Sequence, residues 1–344
     1  MTALIDAHDA ALFDLDGVVY LGPDAIPAAA PTIAALSDRG VRCGYVTNNA
    51  SRPPAVVAHH LNELGIACAA EDIVTSAQAA ARLLTDRLRP GSRVMVVGTD
   101  ALVSEVAAKG FVVVDKAADE PEAVVQGLHP GVTWSVLVDA AIAVQRGALW
   151  VATNTDSTKP GDRGLEPGNG AAVAVVRTSV QGDPLVAGKP YAPLMEETMT
   201  RIGCRQPIFV GDRLDTDIAG AHTIGIASLL VLTGAHGPAD LLAAPPEQRP
   251  THLGWDVSAL LEPAREAVTD GAAWRCGEQR VSGSGAARQL HTSISDRARW
   301  LDALWVLSNA HWDEPFDDTA ALLDQLGAPP STTPPTTTQP TEEP

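Results

Sequence analysis

Positive charge is scarce in this chain: 24 lysines and arginines face 42 aspartates and glutamates, a formal net charge of −18 over 344 residues. Nucleic acids and anionic membrane surfaces both need basic patches, so neither is an expected partner. An acidic protein also repels small anions at long range. Salt screens that repulsion within about 8 Å, so an anionic substrate would have to be captured by local cations and backbone N–H groups. Long hydrophobic runs are missing as well. The longest, Ile224 to Leu232, is broken by Gly225 and Ser228 and falls far short of the ~20 residues that span a bilayer. Four cysteines, Cys43, Cys68, Cys204 and Cys276, are scattered with no Cys-x-x-Cys spacing, so a reduced cytoplasmic protein is the simplest reading. The first residues, with Asp6 and Asp9 and no basic cluster, do not read as a secretion signal.

What the chain does have is a 45% hydrophobic fraction, enough for substantial cores, and apolar runs that end in chemistry. Ala11 to Tyr20 climbs to Asp14 and Asp16, spaced i, i+2, and breaks at Gly17. Residues two apart on an extended backbone point to the same side, so both carboxylates leave a buried strand together. Their mutual repulsion is relieved by a cation or a shared proton, and hard oxygen ligands suit Mg²⁺. Gly44 to Ser51 is a second such run, where Thr47 offers a hydroxyl and the N–H groups of Asn48 and Asn49 could meet an anion. Lys189 is a lone cation between Gly188 and Pro190, and Pro207 to Ile218 ends a third run in Asp212, Asp215 and Asp217. Taken singly, the first reads equally well as a solvated turn, the second as an ordinary turn and N-cap, and Lys189 more readily as a surface lysine. In this order they make one signal.

That order resembles the haloacid dehalogenase superfamily, whose four motifs appear as Asp14-Leu15-Asp16-Gly17, Thr47, Lys189, and Gly211-Asp212 with Asp217. Tyr45 to Ser51 paired with Gly211 to Ile218 looks more specifically like its phosphatases with a large α/β cap. The likeness covers roughly Ala10 to Leu261. It implies that Asp14 attacks phosphorus to form an aspartyl-phosphate, and that Asp16 acts as general acid and then general base. It implies a Mg²⁺ held by the Asp14 carboxylate, the Asp16 carbonyl and Asp212, with Asp217 orienting a metal-bound water. Thr47, Asn48, Asn49 and Lys189 are then the phosphate-binding set. An aspartate at position 16 fits phosphatases and mutases, since the ion-pumping ATPases carry threonine there and the dehalogenases lack this acid. The expected substrate is a small phosphomonoester. Likeness to bacterial glycerol-3-phosphate phosphatases with an extra C-terminal segment favours glycerol 3-phosphate. Phosphoglycolate, pyridoxal phosphate, or transfer to a second alcohol by a phosphotransferase or mutase are the alternatives.

Two near-miss motifs drop out. Asp212-x-x-Asp215-x-Asp217 puts Asp217 and Thr223 where an EF-hand needs Gly and Glu. Gly188-Lys189 lacks the Ser/Thr and the earlier Gly of a phosphate-cradling Walker loop.

The alternation of strand and helix signals predicts an α/β protein with a Rossmann-like parallel sheet core, in which ligands bind at the carboxyl ends of strands. The expected division is residues 1–76 and 187–261 as core, 77–186 as an inserted α/β cap, 262–327 as a C-terminal extension, and 328–344 as a disordered Pro/Thr-rich tail. Within the cap, strands are expected near Arg93–Gly98 and Phe111–Val114, followed by a helix over Ser135–Arg146. A loop should run from Thr153 to Pro160, with a glycine-rich turn at Gly164–Gly170. That loop is the candidate for substrate discrimination, and the family likeness places Lys159 where a side chain meets the leaving group. Aromatics are only 4% of the chain, yet four of seven tryptophans (Trp274, Trp300, Trp305, Trp312) fall in the extension. Trp300, Leu304 and Leu307 mark one face of a helix over Asp296–Ala310, expected to pack on the core or on another subunit as a homodimer.

Overall fold

The computed structural model describes residues 2–161, 163–283 and 288–330. The tail expected to be disordered lies, from residue 331 onward, outside them. Among the described residues no helix is long and apolar enough to cross a membrane.

The core is a six-stranded sheet in the spatial order His252–Gly254, Ala227–Val231, Pro207–Gly211, Ala10–Phe13, Arg42–Thr47, Ile73–Thr75, and every pairing is parallel. Helices cover both faces of such a sheet, which is why its strands read as unbroken apolar runs rather than alternating ones. Two of the core's helices are Ala29–Asp38 and Pro54–Glu63. Phe13, Tyr45, Ile208 and Val210 fill one face, while Leu12, Val46 and Phe209 fill the other. Gly44 lets helix Ala192–Ile202 approach closely, because a Cβ there would lie 2.7 Å from Ile202 Cγ1.

A second, five-stranded parallel sheet forms the cap, in the order Leu185–Val186, Leu149–Ala152, Ala123–Gln126, Arg93–Val97, Val112–Val114. Helix Ser76–Thr85 joins the two sheets. Its start is fixed reciprocally: the Thr75 hydroxyl accepts from the Gln78 N–H at 3.3 Å, and the Gln78 side-chain oxygen accepts from the Thr75 N–H at 3.0 Å. Its small residues Ala77, Ala79, Ala80 and Ala81 share one apolar cluster with Leu12 and Val46 of the core and Val94 and Val125 of the cap. The helix therefore packs on both sheets.

Two cap expectations need correction. The second half of the expected Thr153–Pro160 loop is a strand, Thr158–Gly161, paired antiparallel with Gly164–Pro167. The expected glycine-rich turn supplies the partner strand and the start of helix Asn169–Arg177. Its glycines answer to close backbone approach, since a Cβ on Gly168 would sit 2.2 Å from the Asp156 carbonyl oxygen and one on Gly170 2.3 Å from that of Thr155.

The extension forms a four-stranded antiparallel sheet, Val268–Thr269, Ala273–Cys276, Gln279–Ser282 and Gln289–His291, followed by helices Arg297–Asp313 and Thr319–Leu326. Asp296 caps the first helix by accepting from the Arg299 N–H at 2.9 Å. The single apolar face expected for this helix is corrected: Trp300, Leu301, Ala303, Leu304, Trp305, Val306 and Leu307 are all buried. The sheet, the second helix and the edge of the core enclose it, in a cluster that includes Leu214, Ile218, Leu230 and Leu253. The extension is thus packed on the core of its own chain.

Candidate active site

Three strands of the core end at one crevice. Asp14 follows Phe13, Thr47 ends the next strand, and Asp212 follows Gly211 on the other side. Lys189 enters from the segment that leads out of the cap. Its ammonium is 2.6 Å from Asp14 Oδ1 and 2.7 Å from Asp217 Oδ1, and the residue is 3% exposed. Burial alone would depress the ammonium, yet Asp14 and Asp217 hold its pKa above the usual lysine value. The Asp14 carboxyl is pushed well up by burial, with Lys189 the main counterweight and Asp217 and Asp212 adding to the rise.

Asp217 occupies a π-helical turn, Leu214–Ile218, that wraps it back over the strand end. Its Oδ2 accepts from the Asp212 N–H at 3.2 Å and the Arg213 N–H at 3.1 Å. Gly211 makes this possible, because a Cβ there would meet Asp217 Cβ at 2.2 Å. Asp212 Oδ2 accepts from the Ala235 N–H at 2.6 Å. Gly17, at φ +82°, and Gly234 press on the same carboxylate from either side; a Cβ on them would lie 2.5 and 2.0 Å from its Oδ2. Burial and then Asp217 raise the Asp212 pKa.

This cluster fits a divalent cation. The carboxylates of Asp14, Asp212 and Asp217 each offer an oxygen within 4.8 Å of the others, against one ammonium. Asp212 Oδ1 is buried and has no hydrogen-bond partner, an orphan that folded proteins rarely leave unless a ligand or ion satisfies it. The donors are all hard oxygens, as Mg²⁺ requires.

The remaining expected residues divide. The Thr47 hydroxyl is buried at the strand end but accepts from the Asn49 N–H at 3.1 Å, so that N–H is already engaged within the loop. Asn49 otherwise binds its neighbour Ser51 through Oδ1. Asn48 is held by its side chain: its Oδ1 accepts from the Lys189 N–H at 2.8 Å, and its Nδ2 donates to the Lys189 carbonyl at 3.1 Å. Asp16 is exposed at the mouth. Desolvation raises its pKa, opposed by Arg52, Lys189, the Tyr20 hydroxyl and His60. The rise favours the protonated form that a general acid needs. Lys159 is not brought into the cluster. The hairpin register sets it opposite Glu166, and its ammonium is 2.5 Å from Glu166 Oε2.

Reading the sequence missed Asp156 and Arg52. Asp156 is separated from the end of the cap strand Leu149–Ala152 by Thr153, Asn154 and Thr155, whereas Asp14 follows its strand directly, so no strand-end signal marked it. Arg52 carries no such signal either.

A family model of haloacid dehalogenase-like hydrolases matches residues 11–112, and a related hydrolase model matches residues 186–260. The chain is 49% identical over 260 residues to the D-glycerol 3-phosphate phosphatase of Mycobacterium tuberculosis, covering 76% of this chain and 73% of that protein. This chain is a haloacid dehalogenase-like hydrolase. Among other members, the acid sugar phosphatase of Staphylococcus saprophyticus is 36% identical, over 66% of this chain and 87% of its own. The crystal structure of the M. tuberculosis glycerol phosphate phosphatase with magnesium superposes on this hydrolase with a TM-score of 0.84 at 41% identity, covering 95% of this chain and 99% of that one. The match to that crystal structure extends the likeness into the C-terminal extension.

Proposed function

We propose that this hydrolase cleaves glycerol 3-phosphate to glycerol and phosphate, with Mg²⁺ as cofactor, through phosphorylation of Asp14. The observation that carries the reading is the buried Asp14 carboxylate held 2.6 Å from Lys189 at a strand end, with the unpartnered Asp212 Oδ1 in the same carboxylate group. The 49% identity to a D-glycerol 3-phosphate phosphatase supports the substrate. Asp14, Asp212 and the Asp16 carbonyl would hold the ion, and Asp217, tied to the Asp212 N–H, keeps the site in register. Bound Mg²⁺ would neutralise phosphoryl charge and align the ester for in-line attack.

The side chains divide the remaining work. Asp14 attacks phosphorus as the bond to the glycerol oxygen breaks, and Asp16 gives that oxygen its proton. Asp16, now a carboxylate, takes a proton from the water that attacks phosphorus and releases Asp14. Lys189 and Thr47 stabilise the phosphoryl oxygens, with positions set in advance by buried contacts rather than by solvent. In domain terms, residues 1–76 and 187–261 are proposed as the catalytic core, 77–186 as cap and 262–327 as extension, with helix Ser76–Thr85 shared between core and cap. Four free thiols accord with a reducing cytoplasm.

A panel of phosphomonoesters assayed with Mg²⁺ tests the proposal. Glycerol 3-phosphate should give the highest kcat/KM, with phosphate released in water alone. A clear preference for phosphoglycolate, pyridoxal phosphate or a sugar phosphate would displace the substrate. Release that required an added alcohol would make the protein a phosphotransferase.

A further inference from the structure

The strand Leu149–Ala152 of the cap ends in Thr153-Asn154-Thr155-Asp156, and these residues bond into the core. Asn48 is the meeting point. Its Nδ2 lies 3.3 Å from both carboxylate oxygens of Asp156 while donating to the Lys189 carbonyl, and its Oδ1 accepts from the Lys189 N–H. The Asn48 carbonyl accepts from Asn154 Nδ2 at 2.7 Å and from the Ser76 hydroxyl at 2.6 Å. Asn154 is itself fixed: its carbonyl accepts from Asn169 Nδ2 at 2.7 Å, its Oδ1 accepts from the Asp156 N–H at 3.2 Å, and both asparagines are buried. A chain of hydrogen bonds thus runs from the cap helix Asn169–Arg177 through Asn154, Asp156 and Asn48 to the backbone of Lys189, whose ammonium holds Asp14.

The backbone is pinned at the same point. A Cβ on Gly188 would lie 2.6 Å from the Thr153 carbonyl oxygen and 2.7 Å from Asn48 Oδ1, so the segment before Lys189 is wedged between cap and core with no slack. A side-chain amide has only two N–H groups, and here they serve three acceptor atoms on two residues. When the Asp156 carboxylate is in place, it restricts the Asn48 rotamer to the one that also grips Lys189. Without it, the orientation of the amide rests on its two bonds to the Lys189 backbone alone, and the anchor of Lys189 on the core side is weakened.

We infer that Asp156 is a positioning residue for Lys189, acting through Asn48, so that seating of the cap segment sets the phosphate site of the core. This rests on the proposed phosphate-binding role of Lys189. Because phosphate is common to every substrate, the effect is general and not selective for the leaving group. It differs from a contact between cap and alcohol, which would select among substrates.

The experiment compares Asp156→Ala and Asp156→Asn with the unaltered enzyme in Mg²⁺. It measures competitive inhibition by inorganic phosphate, and kcat/KM for p-nitrophenyl phosphate and glycerol 3-phosphate. Asp156→Ala should weaken inorganic phosphate and lower kcat/KM for both esters in parallel, each by about 10-fold, the size expected for losing a hydrogen bond to a charged group. Melting temperature should stay close to that of the unaltered enzyme. Asp156→Asn keeps an acceptor for Asn48 Nδ2 and should recover most of the loss. Unchanged phosphate inhibition in Asp156→Ala would overturn the inference, as would a loss confined to glycerol 3-phosphate or an Asn variant no better than Ala. Failure of the unaltered enzyme on glycerol 3-phosphate would strike only the substrate proposal, because p-nitrophenyl phosphate and inorganic phosphate still report on Lys189.

Discussion

Replacing Lys189 with methionine keeps an unbranched side chain one atom shorter and removes the ammonium that faces the buried carboxylates of Asp14 and Asp217. Two close pairings vanish, to Asp14 at 2.6 Å and to Asp217 at 2.7 Å. Stripping one partner from a buried pair costs about 3–5 kcal/mol, because the remaining charge has neither water nor counter-ion. Protonation limits that cost. Burial already pushes the Asp14 carboxyl well up, with Lys189 the principal force holding it down; without Lys189 the carboxyl rises further and becomes neutral more readily. A carboxyl whose folded pKa lies above its unfolded value contributes stability that is fully present below about pH 4 and lost as pH rises through the folded value. The destabilisation of Lys189→Met should therefore be large near pH 8 and shrink toward pH 5. With about 2.1 cal/mol/K of unfolding entropy per residue over 344 residues, each kcal/mol shifts the melting temperature by about 1.4 °C, so a loss of roughly 3 kcal/mol lowers it by about 4 °C near pH 8. Thermal melts in chelator at both pH values, repeated with millimolar Mg²⁺, measure this, and the ion should return part of the loss by supplying positive charge. Turnover should fall about 10²–10³-fold, the usual consequence of removing a preorganised donor from a transition-state site. An unshifted melt near pH 8 in chelator would mean that the carboxylates are not held together by Lys189, and the account of the site would fail with it.

Asp14→Asn should abolish both turnover and the acid-trapped aspartyl-phosphate, while Asp16→Asn should slow alkyl phosphates far more than p-nitrophenyl phosphate, whose leaving group needs no proton; equal losses on the two ester types would remove Asp16 as the acid. Because the Lys159 ammonium is committed to Glu166, Lys159→Ala should change kcat/KM for glycerol 3-phosphate by less than about 3-fold, and a 10-fold loss would show that the hairpin opens to present the ammonium to substrate. Ending the chain after Leu261 strips the cover from Leu214, Ile218, Leu230 and Leu253, at roughly 1.5–3 kcal/mol for each large side chain left bare. The shortened protein should melt earlier and aggregate, whereas unchanged melting and solubility would make the extension an independent module.

Asp14, Thr47 and Asp212 could be found in the sequence because each ends an apolar run, whereas Lys189 stood out only by its place in the order of the four motifs. An apolar run long enough for a buried strand, ended by a polar residue and a glycine, is a local signal, and parallel sheets collect such ends at one edge. Partnership is a different matter. Lys189 meets Asp14 across 175 positions and Asn48 meets Asp156 across 108, and no local periodicity encodes which strands become neighbours. Tertiary structure alone decided that Asp217 would reach back along a π-helical turn to Lys189, and that Asn48 would serve the backbone of Lys189 through its side chain. It decided that Lys159 would spend its charge on Glu166, since hairpin register, not composition, put the two opposite each other. The extension shows the same division. Its tryptophans and helix period announced a buried face, but burial on nearly every side came from a sheet, a second helix and the core edge closing around it. Local patterning determined which residues stand at strand ends and which faces are apolar. Long-range packing determined what each of them touches.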